Sequence, residues 1–313
     1  MRRLCSSTTI LALVFGLALT AHAFTFSDDF ADGDTGGWIP AEPTPSAGVG
    51  NWRVVDGVLV QDAGGDGHRF LAEDYVVSTH AITTRLTCTD WAGYGGVAIW
   101  NQGYENYVQV ILYPDAGAVW IHEKIDGVMP QNGFVFPYTS VKYTWYELRV
   151  EADSVGGTLH VYVNGDYLFT YSVTTTHRRG LSGLLSGNSG GTFDDVRLTY
   201  YPIDIQPGNT ANRINLKKPG TISVAVLSSS NFDAPAQVDR TSLTFGRTGD
   251  EVSVIACTKR PRDVNGDELP DLVCSFPVAG AGFQPGDTEG FLKWTVAGIS
   301  FTGSDTVTIV SGK

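Results

Sequence analysis

The chain of 313 residues carries a net charge of −12, with 21 Lys and Arg residues against 33 Asp and Glu residues. Such an acidic chain is a poor candidate for binding nucleic acid or an anionic membrane surface, and we expect neither as a partner. Its 37 glycines, 11% aromatic residues and 17% charged residues are typical of β-structure with many turns and exclude intrinsic disorder.

Residues 1–23 have the pattern of a secretory signal peptide. Two arginines precede a short apolar run, and a small-residue Ala-His-Ala cleavage site ends at Ala23. The apolar run is too short to predict a membrane span. We therefore expect a secreted protein, soluble in the periplasm or outside the cell. Loss of the two arginines changes the net charge from −12 to −14.

Short strand-like segments follow one another along the rest of the chain, each bounded by Gly, Pro, Asn or Asp. About nine of them, the first over residues 52–60, predict a two-sheet jelly-roll sandwich over residues 24–201. Six or seven more, by a rough count, predict a smaller Ig-like sandwich over residues 202–313. The expected protein is all-β and has two domains.

Strand alternation places one set of aromatic and polar side chains on a common surface. Successive side chains of a strand point to opposite faces, so alternate apolar residues of 96–100, 107–113 and 118–124 form a core face, while Ile111 faces outward with Tyr107 and Gln109. Aromatic rings beside polar groups suit sugars, whose rings have an apolar face and a rim of hydroxyls. We therefore predict that the first domain binds a polysaccharide or glycan. The predicted ligand-binding residues are Trp100, Tyr107, Gln109, Trp120, His122 and Lys124.

Four segments of the first domain carry a resemblance to a known family. FSDDF at 26–30 and NWRVVDGVL at 51–59 are similar to the opening strands of concanavalin A-like, laminin-G-like jelly rolls. WYELRVE at 145–151 and TFDDVRL at 192–198 are similar to their closing strands. The resemblance implies the jelly-roll fold and a glycan bound on its concave sheet.

The same resemblance implies a structural calcium between the opening acidic segment and a late strand. Asp28 or Asp29 and Asp194 or Asp195 occupy the matching positions, and we take Asp28 and Asp194 as the ligands. Carboxylates gathered near adjacent chain ends repel one another unless a cation offsets them. Ordinary use of Asp in turns is the alternative.

Glu147 and Glu151 stand on one strand with Arg149 between them. Family 16 glycoside hydrolases, which share the resembled fold, carry E-x-D-x-x-E there, and this chain lacks the central Asp. At about 3.3 Å per residue the two carboxylates lie roughly 13 Å apart, beyond the ~5–9.5 Å of a glycosidase pair. We therefore expect a non-catalytic protein and assign no catalytic residue. Two alternatives stay open: a secreted hydrolase or lyase that uses carboxylates from different strands, and a surface module that recognises protein within a larger assembly.

The segment DVNGDELPD at residues 263–271 has the spacing of a cation-binding loop. It places oxygen-bearing side chains at relative positions 1, 3, 5 and 9 and a backbone carbonyl at position 7, and calcium takes six to eight oxygens. The segment resembles the calcium loops of integrin-α-type repeats and dockerins, from which it departs at position 6, where Glu268 replaces glycine. A solvated acidic turn is the alternative, because Asn-Gly-Asp is a turn signal. The predicted ligands of this structural calcium are Asp263, Asn265, Asp267, Asp271 and the Leu269 carbonyl.

Cys257 and Cys274 flank this loop at the ends of two strand-like segments. If the two segments pair as a hairpin, the sulfurs can bridge, and export makes oxidation permissible. We predict a Cys257–Cys274 disulfide, which leaves Cys88 as a buried free thiol. The second domain otherwise resembles an accessory module found at the ends of exported bacterial proteins, a resemblance that implies no function.

Overall fold

The structure, a computed structural model, describes residues 24–41, 50–65, 67–73, 75–89, 93–129, 133–188, 190–229 and 232–310. The predicted signal peptide lies outside these residues. Nearly all of the described regular structure is β-strand, with a 3-10 turn at Pro114–Ala116 and one short helix, α1, at Ala234–Gln237. None of the helices in the described part of the chain is long and apolar enough to cross a membrane.

Two antiparallel sheets form the first sandwich. Its strands are β1 (Phe24–Asp28), β2 (Trp38–Ala41), β3 (Trp52–Val55), β4 (Val58–Gln61), β5 (His68–Ala72), β6 (His80–Cys88), β7 (Tyr94–Asn101), β8 (Tyr107–Tyr113), β9 (Ala118–Lys124), β10 (Phe134–Pro137), β11 (Tyr146–Asp153), β12 (Thr158–Val163), β13 (Asp166–Ser172), β14 (Leu181–Gly187) and β15 (Gly191–Tyr200). The eight-stranded sheet has the order β13-β12-β11-β6-β15-β4-β3, with β1 also paired to β15. The seven-stranded sheet has the order β10-β9-β8-β7-β14-β5-β2.

The inner faces of these two sheets form one hydrophobic core. Alternation produces it: β12 repeats half-buried and buried positions one by one, and its buried Leu159, Val161 and Val163 meet Val97 and Val110 of the other sheet in one cluster. The side chains at the other alternate positions of the seven-stranded sheet therefore lie on its outer face.

One predicted strand proves to be two. The segment over residues 52–60 is a hairpin, in which β3 and β4 pair with each other. Asp56 and Gly57 form its turn with φ of 51° and 78°. This left-handed pair matches the strand twist, and Asp-Gly is a strong sequence signal for such a turn. The prediction of a single strand was wrong because it passed over that dipeptide.

The second sandwich follows directly. Its strands are β16 (Ile203–Ile205), β17 (Arg213–Asn215), β18 (Thr221–Val226), β19 (Asp239–Gly246), β20 (Val252–Ser253), β21 (Ala256–Cys257), β22 (Leu272–Pro277), β23 (Glu289–Val296), β24 (Ile299–Thr306) and β25 (Thr308–Val310). They form the sheets β16-β18-β22-β21 and β20-β19-β23-β24, with a parallel pair β17-β25. A separate core holds Phe245, Phe276 and Trp294. The predicted fold class, an all-β jelly-roll sandwich followed by a smaller sandwich, is confirmed.

Glu289, at the start of β23, joins the two sandwiches. Its carboxylate accepts a hydrogen bond from the Ser78 hydroxyl of the first sandwich. The Arg179 guanidinium, also in the first sandwich, lies 3.2 Å from the same carboxylate oxygen. Both contacts are partly buried, so water screens them less than a pair on the open surface.

Candidate functional site

A cavity of about 460 Å³ opens on the outer face of the seven-stranded sheet, above β8 and β9. We call it the outer groove. Its lining includes five of the six residues predicted to bind a ligand: Tyr107, Gln109, Trp120, His122 and Lys124.

The register between β8 and β9 brings these residues together. Tyr107 lies directly opposite Lys124, and Gln109 lies directly opposite His122. Residues that face each other across an antiparallel pair share one side of the sheet, with Cβ atoms about 4.5–5.5 Å apart. The alternate residues of these strands, Val110 among them, point into the core.

Trp100, the sixth predicted residue, is not in the groove. It is fully buried in the core between the sheets, and its indole Nε1 donates a hydrogen bond to the Ser78 carbonyl at 2.6 Å. The pairing of β7 with β14 is irregular at this point, and Trp100 has a φ of 49°. Such a β-bulge inserts an extra residue and breaks the alternation, so that Ile99 and Trp100 both reach the core. The prediction that Trp100 faces outward was wrong for this reason.

The groove floor is a row of aromatic rings that crosses three strands. The Tyr94 and Tyr113 ring centroids are 5.7 Å apart, those of Tyr113 and Trp120 are 5.3 Å apart, and those of Trp120 and His122 are 5.5 Å apart. Tyr94 lies opposite Gly187, where any Cβ would clash with the tyrosine ring. The glycine therefore lets the ring lie against β14.

Sequence reasoning missed Tyr94, Tyr104 and Tyr113 as groove residues. Tyr113 continues the alternation of Tyr107 and Gln109, so that pattern was sufficient to include it. The expected strand began at residue 96, whereas β7 begins at Tyr94. Tyr104 lies in the turn between β7 and β8, where no periodic pattern fixes a side chain.

Polar groups and cations surround the rings. The side-chain amide of Gln109 makes no hydrogen bond to any described residue, and the buried Trp120 Nε1 has no acceptor within the described part of the chain. The Lys124 ammonium lies 2.9 Å from the centroid of the Tyr104 ring. The Arg69 guanidinium lies 4.1 Å from the centroid of Tyr107, and burial lowers the pKa of this arginine. Both cations sit on tyrosine faces, whose quadrupole attracts positive charge.

The acidic loop at 263–271 is held by its own backbone. The Asp263 carboxylate accepts hydrogen bonds from the amides of Gly266 at 2.6 Å and Glu268 at 2.9 Å, and these two bonds lower the pKa of Asp263. The Asp267 carboxylate accepts hydrogen bonds from the Leu269 backbone amide at 2.9 Å and from the Asn265 side-chain Nδ2 at 3.0 Å.

Asp271 is turned into the second sandwich. It is fully buried, and its two oxygens accept from the amides of Ser228 at 2.8 Å and Val264 at 2.9 Å. Burial raises the pKa of this carboxyl group. Among the described residues, no three Asp, Glu, His or Cys side chains are arranged to hold a metal ion. The loop as it stands is a hydrogen-bonded acidic turn, and calcium binding to it stays a prediction.

The carboxylates at the second predicted calcium position also have hydrogen-bond and ion-pair partners within the protein. The Asp28 carboxylate accepts hydrogen bonds from the Phe30 amide and the Trp38 indole, both at 2.7 Å. The Arg85 guanidinium lies 3.2 Å from the Asp194 carboxylate and 3.0 Å from that of Asp195. An arginine thus pairs with Asp194 and Asp195, and calcium binding at this position stays a prediction.

The predicted disulfide between Cys257 and Cys274 is present. The two residues lie directly opposite each other in β21 and β22, with their Cα atoms 3.9 Å apart. In the chain-entropy model a closed loop of this length contributes roughly 3 kcal/mol to stability. Cys88 is a buried free thiol, and burial raises its pKa to about 12, which leaves it unreactive at neutral pH.

No protein-family model and no curated protein sequence matches this chain. Among solved structures it is similar to a carbohydrate-binding module, CBM66, from Bacillus subtilis, at 15% identity and a TM-score of 0.45, over 52% of this chain and 95% of that one. It is also similar to a β-glucanase from Bacillus licheniformis, at 11% identity and a TM-score of 0.44, over 57% and 99%. A third is a putative glycosyl hydrolase from Parabacteroides distasonis, at 15% identity and a TM-score of 0.37, over 54% and 91%.

Proposed function

We propose that this chain is an exported, non-catalytic carbohydrate-binding protein that holds a glycan in the outer groove. The observation that carries the proposal is the aromatic row of Tyr94, Tyr113 and Trp120 beside the polar side chains of Gln109 and His122 in one groove. The apolar faces of sugar rings stack on such a row, and their hydroxyls pair with the side-chain amide of Gln109. The Cys257–Cys274 disulfide supports export, because disulfides persist in oxidising compartments.

Binding is favoured over hydrolysis by the composition of the groove. None of the described residues that line it is Asp or Glu. Glycoside hydrolysis uses two carboxyl groups on either side of the scissile bond. Glu147 and Glu151, the two carboxylates considered in the sequence, lie on the eight-stranded sheet, where Glu151 pairs with Arg149 at 2.5 Å and accepts a hydrogen bond from the Tyr162 hydroxyl at 3.2 Å.

Replacing Trp120 by alanine is expected to weaken glycan binding by about 1–2 kcal/mol, through lost stacking area. A glycan array first identifies a ligand for the wild type, and calorimetry then measures the affinity of each variant. Trp145→Ala is the matched control, since Trp145 lies next to the eight-stranded sheet under Arg85 and outside the groove. An affinity unchanged in a folded Trp120→Ala protein would refute the groove as the site.

An array without any glycan ligand would instead favour the alternative of a module that recognises protein. Release of reducing ends or unsaturated sugars from an array ligand would favour the enzyme alternative. Either outcome replaces the proposed function.

We also propose that the acidic loop binds calcium weakly. Glu268 has a φ of 69°, so the bend that glycine makes in the resembled loops is made here by glutamate. Because an ion that binds only the folded loop stabilises it by mass action, Tm should rise in about 1–10 mM calcium, and Asp267→Ala should abolish the rise. Asp287→Ala, an acidic position outside the loop, is the control. A wild-type melting curve that is the same in calcium and in chelator would show that the loop does not bind calcium and is a solvated turn.

A further inference from the structure

We infer that the outer groove selects an acidic sugar, one whose ring carries a carboxylate or a sulfate group, and that Lys124 binds that group. The inference rests on the proposed function, since it specifies the class of glycan that the same groove takes. Two observations support it: two basic side chains lie at the groove with low exposure, and no acidic side chain is among its described lining.

Lys124 is the first observation. Lysine is almost never buried without a charged partner, yet only 3% of Lys124 is exposed. Its ammonium lies on the Tyr104 ring and makes no salt bridge to a described carboxylate. A tyrosine face attracts the cation without cancelling its charge. The Lys124 ammonium therefore lies at the groove with little exposure to water, where an anionic ligand could bind it.

Arg69 adds a second buried positive charge on the same side of the sheet. Arg69 lies directly opposite Leu185 in the sheet. Leu185 packs in a small cluster with Tyr94 and Ile111, two residues that line the groove. Its guanidinium stacks on the Tyr107 ring, and that ring lines the groove. Two cations with low exposure raise the local potential more than surface lysines do, because water screens them less.

The described lining contains no opposing charge. Its members are aromatic, apolar, amide-bearing or basic, and none is acidic. The chain as a whole has a net charge of −12. An anion at this groove therefore meets positive charges and no carboxylate of the described lining, although the net charge of the chain is negative. The aromatic row holds the sugar ring, and the ammonium forms a charge-assisted hydrogen bond to its acidic group.

The test uses the full-length protein and pairs of polysaccharides that differ in charge alone. Polygalacturonate is compared with its fully methyl-esterified form, and carrageenan with its desulfated form, by calorimetry at low and high NaCl. We expect the acidic member of one pair to bind about ten- to a hundredfold more tightly than the neutral member, and this preference to shrink in salt. The two pairs separate a carboxylate ligand from a sulfate ligand.

Lys124→Met keeps the length of the side chain and removes its charge. It should bring the affinity for the acidic polymer down to that for the neutral one, while Lys124→Arg retains the preference. Trp120→Ala should weaken both members of the pair. If Lys124→Met does not fold, the esterified and desulfated polymers still decide the question on the wild type.

The outcomes distinguish this inference from the proposed function. Equal binding of the acidic and neutral polymers, lost in Trp120→Ala, overturns the inference and leaves the carbohydrate-binding function intact. An acidic preference that Lys124→Met does not change overturns the role of Lys124. Binding of neither class, in the array and in these titrations, overturns both.

Discussion

Replacing Glu123 by alanine is expected to destabilise the first sandwich by about 3–5 kcal/mol. Glu123 belongs to β9 but points away from the groove, toward the eight-stranded sheet, and it is 4% exposed. Its carboxylate accepts hydrogen bonds from the Tyr171 hydroxyl at 2.7 Å, the Thr174 amide at 3.0 Å and the Thr175 amide at 2.8 Å. Alanine would leave the buried Thr175 amide and the partly buried Tyr171 hydroxyl without this acceptor, and it would release the end of β13 from the opposite sheet.

Chemical denaturation followed by circular dichroism measures the change in the free energy of unfolding. Glu151→Ala is the control, because the Glu151 side chain is 36% exposed and its ion pair with Arg149 is a surface pair. We expect less than about 1 kcal/mol for it. A similarly small change for Glu123→Ala would show that water replaces the carboxylate and that Glu123 does not hold the sheets together.

Acidification from pH 6.5 to below pH 4 is expected to cost about 3 kcal/mol of stability through His80 alone. The imidazole is buried, its Nδ1–H donates to the Ser78 carbonyl at 2.9 Å, and its Nε2 has no partner among the described residues. Burial penalises the imidazolium and lowers the pKa of His80 to about 4. Between pH 6.5 and 4 the unfolded chain takes up a proton that the folded protein refuses, so stability falls as the pH falls.

The contribution of His80 is isolated by comparing the wild type with His80→Gln over this pH range. Asp204 acts in the opposite direction, because burial raises its pKa to about 6 and stability through it rises as the pH falls. Since Asp204 is present in both proteins, its effect cancels in the difference. The wild type should lose more stability on acidification than the variant, and parallel curves would exclude His80 as the cause.

Strand alternation was sufficient to place Gln109, Trp120 and His122 in one groove, because a period of two is set by backbone geometry and does not depend on distant contacts. It failed at Trp100, where a bulge with a left-handed non-glycine residue shifts the pattern. Local sequence carries no clear signal for such a bulge, and the Ser182 hydroxyl that bonds the Trp100 amide is 82 residues away.

Glu123 shows a second limit of prediction from sequence alternation. Alternation puts this carboxylate on the core face of β9, where a sequence pattern offers no reason for a charge. Its partners Tyr171, Thr174 and Thr175 are 48 to 52 residues further along the chain. The partners of Asp28 and Asp194 are likewise distant in sequence, since the Trp38 indole and the Arg85 guanidinium meet these carboxylates only in the folded chain.

Ser78 links the interior of the first sandwich to the second sandwich. Its carbonyl accepts from both the Trp100 indole and the His80 imidazole, while its hydroxyl holds the Glu289 carboxylate of the second sandwich. The two hydrogen bonds fix the Ser78 backbone against the core of the first sandwich. One residue thus holds both the Trp100 indole and the contact with the second sandwich, so we expect a substitution that displaces Ser78 to disturb the bulge and the junction together.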